Sequence, residues 1–419
     1  MTMRFVREKR EKRASPARKK ICLLGMEAWG GMAQIPYTIL KTLELSDEQI
    51  DIYFITLRSQ ETENIYHPSR FSSDRIRVFF LPYETDLGKK FRRLLFYVYN
   101  PLYHFQVARL IKKINPHLIH YSTGSIIEVM TAAFFNQDIK AKMITIHDPR
   151  PHDEANQPWL KRINNLIYFL IRKLCLRRIP YFHVNASSHI AEAKTTFNLC
   201  PSRIFATHMI SNVIEVPSEQ KIWPAELDSL KSDLVKILFF GRIRSYKGIE
   251  YLIGALGRLF QVGFHDRIQL IIAGEGRLYC DYSAIRDRVV LINRYIENYE
   301  IGPIFTASDF VVLPYTAATQ TGIVSLAYFY AKPVIGTRVG GIPELIVDGK
   351  TGFLIRAKDI HALEEKIRYL VENPQKVKEM GKAAKEYYHA HYSFESLGRE
   401  LSKIYFQIIS LASPGRKEV

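Results

Sequence analysis

Short apolar runs alternate along this chain with longer segments in which apolar positions recur every three or four residues. The runs Ile21–Leu24, Asp51–Thr56, Arg75–Leu81, His117–Tyr121, Lys142–His147, Tyr181–Val184 and Ile204–Met209 have strand length. Helical periods fall between most of them, as at Ile35–Leu43, Val107–Ile114 and Ile126–Phe135. After the polar segment Pro217–Asp233 the alternation restarts. Its strands are Ile237–Phe240, Ile268–Ala273, Val289–Ile292, Phe310–Leu313, Pro333–Gly336 and Gly352–Leu354. Helical patterns cover Ile249–Phe260, Gly302–Ala307, Gly322–Tyr330 and Ile360–Glu372. Strands that read as continuous apolar runs, separated by helices, predict parallel sheets covered on both faces.

The pattern therefore predicts an α/β protein of two doubly wound, Rossmann-like domains facing across a cleft. The expected boundaries are a basic arm at 1–19, a first domain at 20–216 and a linker at 217–234. A second domain follows at 235–390, then a final helix at 391–411. That helix carries the stripe Phe394, Leu397, Leu401, Tyr405 and Ile408. A length of 419 residues agrees with more than one core.

Charge changes the picture more than composition does. The formal net charge is +17, and residues 1–20 hold nine of the basic residues against two Glu, so the excess is spread beyond the arm. A polyanion, an anionic membrane surface or a phosphorylated substrate suits such a balance. The four cysteines are far apart with no CxxC pair, which fits a reducing compartment and implies neither a zinc site nor a disulfide framework. No apolar run has the length of a membrane span. The basic start followed by Ile21–Leu24 is too short in its apolar block, and interrupted by Glu27, to read as a signal peptide.

Two stretches mix basic and aromatic residues. Lys89–Lys113 fits either a bilayer-facing segment or a packed one, and Pro101 breaks it. Trp159–Arg178 is amphipathic, with Trp159, Ile163, Leu166, Ile167, Leu170, Ile171 and Leu174 on one face; apolar stripes are mostly core, so this face is expected to pack inward.

Four places have the layout of a ligand corner. Ligands of doubly wound sheets sit beyond the carboxyl ends of the strands. The run Val235–Phe240 ends at Gly241, and Arg242, Arg244 and Lys247 precede a helix opening after Gly248. A sharp glycine turn, free helix N–H groups and two cations, Arg242 and Lys247, suit a diphosphate. A second strand end leads into Thr319, Gln320, Thr321, Gly322, Ile323 and Val324, where Thr319 or Thr321 can cap a helix aimed at the same cleft. Gly30 and Gly31 permit close backbone approach in the first half. His147 ends a strand beside Asp148, a position from which it can bind a sugar hydroxyl or positive transition-state charge.

At these residues the chain resembles a known family. Phe240-Gly241-Arg242-Ile243…Lys247-Gly248, Ile271-Ile272-Ala273-Gly274-Glu275-Gly276, Ala307-Ser308-Asp309-Phe310-Val311-Val312-Leu313-Pro314 and Lys332-Pro333-Val334-Ile335-Gly336-Thr337…Gly340-Gly341-Ile342-Pro343-Glu344 stand in the order seen in group-1 (family-four) retaining glycosyltransferases of the GT-B fold. The resemblance implies transfer of a sugar from a nucleotide donor to an acceptor hydroxyl. It implies that Arg242 and Lys247 hold the diphosphate, that Gly30-Gly31 line the donor, that Tyr295 lies near the base and that His147 contacts the donor sugar. It also implies a final helix crossing back to the first domain.

One departure stands out. The family usually carries two glutamates where this chain has Thr319 and Ala327, so it is similar to the subset reading Ala-Thr-Gln-(Ser/Thr)-Gly, and Gln320 can substitute with its amide. Fixed cations stabilise the leaving diphosphate, which predicts no metal and no further cofactor. The expected partners are a nucleotide-sugar donor, a glycan or lipid-linked acceptor and an anionic membrane surface, with no nucleic acid. The expected location is cytoplasmic or on the cytosolic membrane face. Two alternatives remain open here: a nucleotide-sugar isomerase of the same fold, using Glu27, Glu128, Asp148 or Asp153, and a non-catalytic nucleotide-sugar-binding subunit.

Overall fold

The computed structural model describes residues 18–26, 31–46, 49–81, 101–147, 159–207, 221–317 and 321–413. Thirteen strands among them form two wholly parallel sheets. The first contains β1 (Lys19–Gly25), β2 (Ile50–Leu57), β3 (Ile76–Leu81), β4 (Leu118–Tyr121), β5 (Lys142–Ile146), β6 (Tyr181–Val184) and β7 (Ile204–Ala206), in the order β3-β2-β1-β4-β5-β6-β7. The second contains β8 (Val235–Phe240), β9 (Ile268–Ala273), β10 (Val289–Ile292), β11 (Phe310–Leu313), β12 (Val334–Thr337) and β13 (Gly352–Ile355), in the order β10-β9-β8-β11-β12-β13.

Helices link these strands. The first domain has α1 (Gly31–Ser46), α2 (Gln60–Ile65), α3 (Pro101–Ile114), α4 (Ile126–Phe134), α5 (Trp159–Leu176) and α6 (Ser188–Phe197). The second has α7 (Ile249–Leu259), α8 (Asn298–Ala307), α9 (Ile323–Phe329), α10 (Ile342–Leu345), α11 (Ile360–Glu372) and α12 (Pro374–His391), and α13 (Phe394–Ala412) closes the chain. The two sheets are the paired Rossmann-like domains of a GT-B fold, as the alternation predicts.

Each central strand is buried on both faces because its side chains alternate between two cores. In β1, Cys22 and Leu24 enter one apolar cluster while Ile21 and Leu23 enter the other. In β8, Leu238 and Phe240 point one way and Ile237 and Phe239 the opposite way. A one-residue slip would exchange the two sets, so burial on both sides fixes the register. The strand order reverses between β1 and β4, and again between β8 and β11. The crevice beyond the carboxyl ends of those strands is where this architecture accepts ligands.

The final helix belongs to both halves. Leu397 joins a core of the second domain, whereas Leu401, Tyr405 and Ile408 are buried in the first against α1. The Tyr405 hydroxyl meets His120 Nδ1 at 2.6 Å.

Four local readings change. Helix α8 begins four residues before the expected Gly302, because Glu297 and Glu300 form a reciprocal cap at its start. Helix α12 escapes the apolar pattern, since only Met380, Gly381, Ala384 and Tyr388 are buried along an otherwise polar sequence. The expectation for Trp159–Arg178 is reversed for most of its stripe, with Ile171 packing inward as expected. Ile163, Leu166, Ile167, Leu170 and Leu174 all lie on the exposed side of α5. Tyr168, Phe169 and Ile171 pack on the core, with Cys175 and Leu176 buried in it. The aromatic rings took the inward face, leaving the aliphatic stripe outside. Of the Lys89–Lys113 stretch, residues 89–100 lie outside the described residues, and Pro101 opens α3 rather than interrupting it.

Candidate active site

The carboxyl end of β8 is built from close backbone contacts. Gly241 has φ +104°, and a Cβ there would stand 2.7 Å from Lys247 Nζ. Ile243 N–H then donates to Glu275 O at 2.9 Å, tying the loop to the strand end of β9. A single turn over Ser245–Lys247 leads to Gly248, whose φ is +64° and whose absent Cβ would meet Pro314 O at 2.1 Å. Thr316 N–H and Thr316 Oγ1 both donate to Tyr246 O, at 2.8 and 3.2 Å. The loops after β8 and β11 are thereby stitched into one body, and only glycine fits at the seam.

Lys247 occupies the centre of that body. It is 8% exposed, its ammonium lies 5.3 Å from the Tyr315 ring centroid, and no carboxylate pairs with it among the described residues. Burial lowers its pKa below the usual lysine value; Tyr246 opposes the fall and Arg242 adds to it. A buried ammonium without a counter-charge is costly unless an anion completes it. Arg242 is exposed beside it. Arg242 also acts on Tyr295, in the loop after β10. Partial burial raises the Tyr295 phenol, with Glu297 and Glu61 adding to the rise and Arg242 opposing it. Glu61 sits on α2, so Tyr295 of the second domain is within electrostatic reach of the first.

At the second strand end, Thr321 is buried and its Oγ1 accepts from Ile323 N–H at 3.2 Å, while Gly322 precedes α9. The Ile323 side chain comes within 3.9 Å of where a Gly241 Cβ would be. Val324 is wholly buried, leaving only its backbone to face a ligand. Ala327 is likewise in the core, so no carboxylate grips from that position. Thr319, Gln320 and Gly30 lie outside the described residues, and Gly31 is the first residue of α1. Arg242, Lys247, Tyr295 and the Thr321–Val324 corner thus share one edge of the second sheet.

In the first domain His147 follows β5 and is half-buried. Its Nε2 donates to Ser122 O at 2.8 Å, and its Nδ1 accepts from Asn185 Nδ2 at 2.7 Å. These bonds hold the ring between the ends of β4 and β6. Beneath it, Glu128 is fully buried and accepts from Met26 N–H, Thr123 N–H, Gly124 N–H and Thr123 Oγ1, all between 2.6 and 2.9 Å. Burial pushes this carboxyl up to about 7 against the pull of those donors. Glu128 binds the ends of β1 and β4 together at the point where the order reverses. It is therefore committed to structure; Glu27, Asp148 and Asp153 lie outside the described residues.

Sequence reasoning names Glu344 only within a motif and passes over Asn185. Glu344, on α10, accepts from Ser187 N–H at 3.0 Å and Ser188 N–H at 2.7 Å at the start of α6, joining the domains. Nothing in local pattern signals a contact between residues this far apart.

Residues 235–373 match the family model described as glycosyl transferases group 1. Alpha-D-kanosaminyltransferase of Streptomyces kanamyceticus is 30% identical over 179 residues, which is 41% of this chain and 45% of that protein. Trehalose synthase of Pyrococcus horikoshii is 46% identical over 133 residues, 28% of this chain and 31% of that protein. The chain spans about half the length of the curated relatives it matches. Similarity in fold extends much further. Sucrose-phosphate synthase from Thermosynechococcus elongatus superposes with a TM-score of 0.66 at 17% identity, covering 94% of this chain and all of that one. Anabaena HepE in complex with UDP gives 0.65 at 15% identity over 93% of this chain and all of its own. The family match thus falls within the second domain, and the chain as a whole has the GT-B architecture.

Proposed function

We propose that the protein is a retaining glycosyltransferase. It moves a sugar from a nucleoside-diphosphate donor to a hydroxyl of a glycan or lipid-linked acceptor, in surface polysaccharide or glycolipid synthesis at the cytosolic face of the membrane. The observation that carries this reading is the buried ammonium of Lys247 beside Arg242 at the crevice edge, unpaired by any carboxylate among the described residues. HepE, a protein of similar fold, is complexed with UDP.

In this mechanism the bond between the anomeric carbon and the phosphate oxygen breaks first. Negative charge collects on the diphosphate, where Lys247, Arg242 and the backbone of Thr321–Val324 hold it. The acceptor oxygen then bonds to the same face of the anomeric carbon. Its proton passes to the departing phosphate, so sugar configuration is retained. Gly30, Gly31, Thr319 and Gln320 line the donor and Tyr295 stacks near the base. His147, braced by Asn185, faces the sugar. Stabilisation that appears only as charge develops raises the rate. Removing one such donor costs roughly 3–4 kcal/mol of activation free energy.

The test is product formation from a panel of nucleotide sugars with lipid-linked acceptors. Retention of no donor, or Arg242→Ala and Lys247→Met proteins that behave as wild type, would overturn the reading. The buried Ala327 favours one alternative, a nucleotide-sugar-binding subunit. It predicts donor binding with no diphosphate release under any acceptor.

A further inference from the structure

The outer helical layer of the first domain has a face that no chemistry above uses. Five large aliphatic side chains of α5 are about half exposed or more: Ile163 47%, Leu166 57%, Ile167 49%, Leu170 49% and Leu174 63%. Their spacing places them on one stripe of the helix. Scattered exposed leucines are ordinary, but a contiguous stripe marks an interaction site.

Helix α4 packs against both α5 and α3, so the three form one layer. Phe134, at the end of α4, is half exposed beneath the Arg178 guanidinium, 4.7 Å from its ring centroid. Phe105 on α3 is 61% exposed and meets Phe135 edge-on. On the same side of α3 Arg109, Lys112 and Lys113 are exposed. The sequences of α3 and α5 contain no Asp or Glu, and the one carboxylate of α4, Glu128, is buried. The layer is apolar along one ridge and cationic along its borders. A protein interface could use such a ridge, but it would have no need of three helices whose exposed charged side chains are, among the described residues, all basic; the exposed Asp138 stands in the loop after α4. A bilayer with anionic headgroups meets both features at once.

We infer that the α3–α4–α5 face docks on an anionic lipid surface, with the α5 stripe entering the headgroup–acyl boundary and the flanking Lys and Arg meeting lipid phosphates. Topology adds an orientation. Because β5 and β6 pair in parallel, the connecting helix α5 returns antiparallel to them, so its first turns lie at the edge where β5 ends, beside His147. The docked face therefore borders the crevice, and a lipid-linked acceptor would enter from the bilayer side. This gives the membrane placement proposed above a surface. Its test reads lipid binding alone, so failure of sugar transfer would leave it standing.

The experiment is co-sedimentation of the full chain with vesicles of phosphatidylcholine, with and without phosphatidylglycerol, at low and high salt. The double variant Leu166→Asp/Leu170→Asp changes only exposed positions, and its thermal melt checks the fold. A second variant, Lys112→Glu/Arg178→Glu, tests charge with the stripe intact. Wild type should bind the anionic vesicles, weaken with salt, and lose about tenfold in lipid affinity in each variant. Three results would overturn the inference: no binding of wild type to anionic vesicles, undiminished binding by folded variants, or a wild-type dimer that the aspartates dissociate while lipid binding persists.

Discussion

Glu344 and Ser188 join the two domains. The Glu344 carboxylate accepts from the Ser188 N–H at 2.7 Å and from the neighbouring Ser187 at 3.0 Å, at the amino end of α6. Free N–H groups and the helix dipole both favour an anion there. The pair is exposed, so its contribution is about 1 kcal/mol or less. That is small against the fold and large against a domain rotation. Glu344→Ala should leave the melting temperature within about 2 °C. It should also increase the radius of gyration of the free protein in small-angle scattering. An unchanged scattering profile would remove the contact from any role in closure.

Lys247 separates binding from stability. Lys247→Met removes a buried charge that has no carboxylate partner among the described residues, so the free protein should be as stable as wild type or more so. Nucleotide-sugar turnover should fall about 10²–10³-fold. The pH dependence has a definite sign. Because the folded pKa lies below 10.5, the free protein gains stability as pH rises from the folded value towards 10.5. Diphosphate affinity falls over the same window. Calorimetric titration of UDP across alkaline pH checks both.

Glu128 should make stability fall with rising pH. Its carboxyl is raised from 4.5 to about 7 by burial. Its contribution is therefore complete below pH 4.5 and lost as pH climbs through 7. Glu128→Gln abolishes that slope, but it turns an amide NH₂ towards donors that need an acceptor. The cost should be about 1–3 kcal/mol, seen as an earlier urea midpoint.

The buried histidines act in the opposite direction. His183 bonds Thr145 and Thr207 through its two ring nitrogens, and burial lowers its pKa to about 3. His120 is lowered in the same way. Both are neutral when folded, so their contribution is full above about pH 6.5 and is lost as pH falls towards 3. His183→Phe should be less stable than wild type at pH 7 and should lose less on acidification to pH 5. Parallel acid melts would show the idea to be mistaken.

Gly248→Ala tests the seam between the loops after β8 and β11. A methyl group there meets the Pro314 carbonyl at 2.1 Å in a left-handed backbone conformation. The carbonyl cannot yield without separating β8 from β11. A loss of about 2 kcal/mol or more in stability is expected, together with loss of nucleotide binding. Gly257→Ala, with open space around it, should be near neutral and serves as the control.

Much of this was legible before any coordinates. The strand runs are apolar on both faces, which only a covered parallel sheet explains. Gly241 and Gly248 mark a tight strand-to-helix corner, since few other residues permit that turn, and both adopt positive φ. What could not be read was long-range. His120 finds Tyr405 across 285 residues of chain, and Glu344 finds Ser188 across 156. The inward face of α5 was misread because Tyr168 and Phe169 compete with leucines for the same core, and periodicity does not decide between two apolar stripes.

By itself the sequence determined the alternation of strand and helix and the paired parallel sheets, since each depends on neighbours within a few residues. Only the tertiary structure decided that Lys247 is buried without a carboxylate among the described residues, that Glu128 is spent mostly on backbone donors and that most of the α5 stripe faces outward. Burial and pairing are properties of what the rest of the chain brings alongside, and no local pattern contains them.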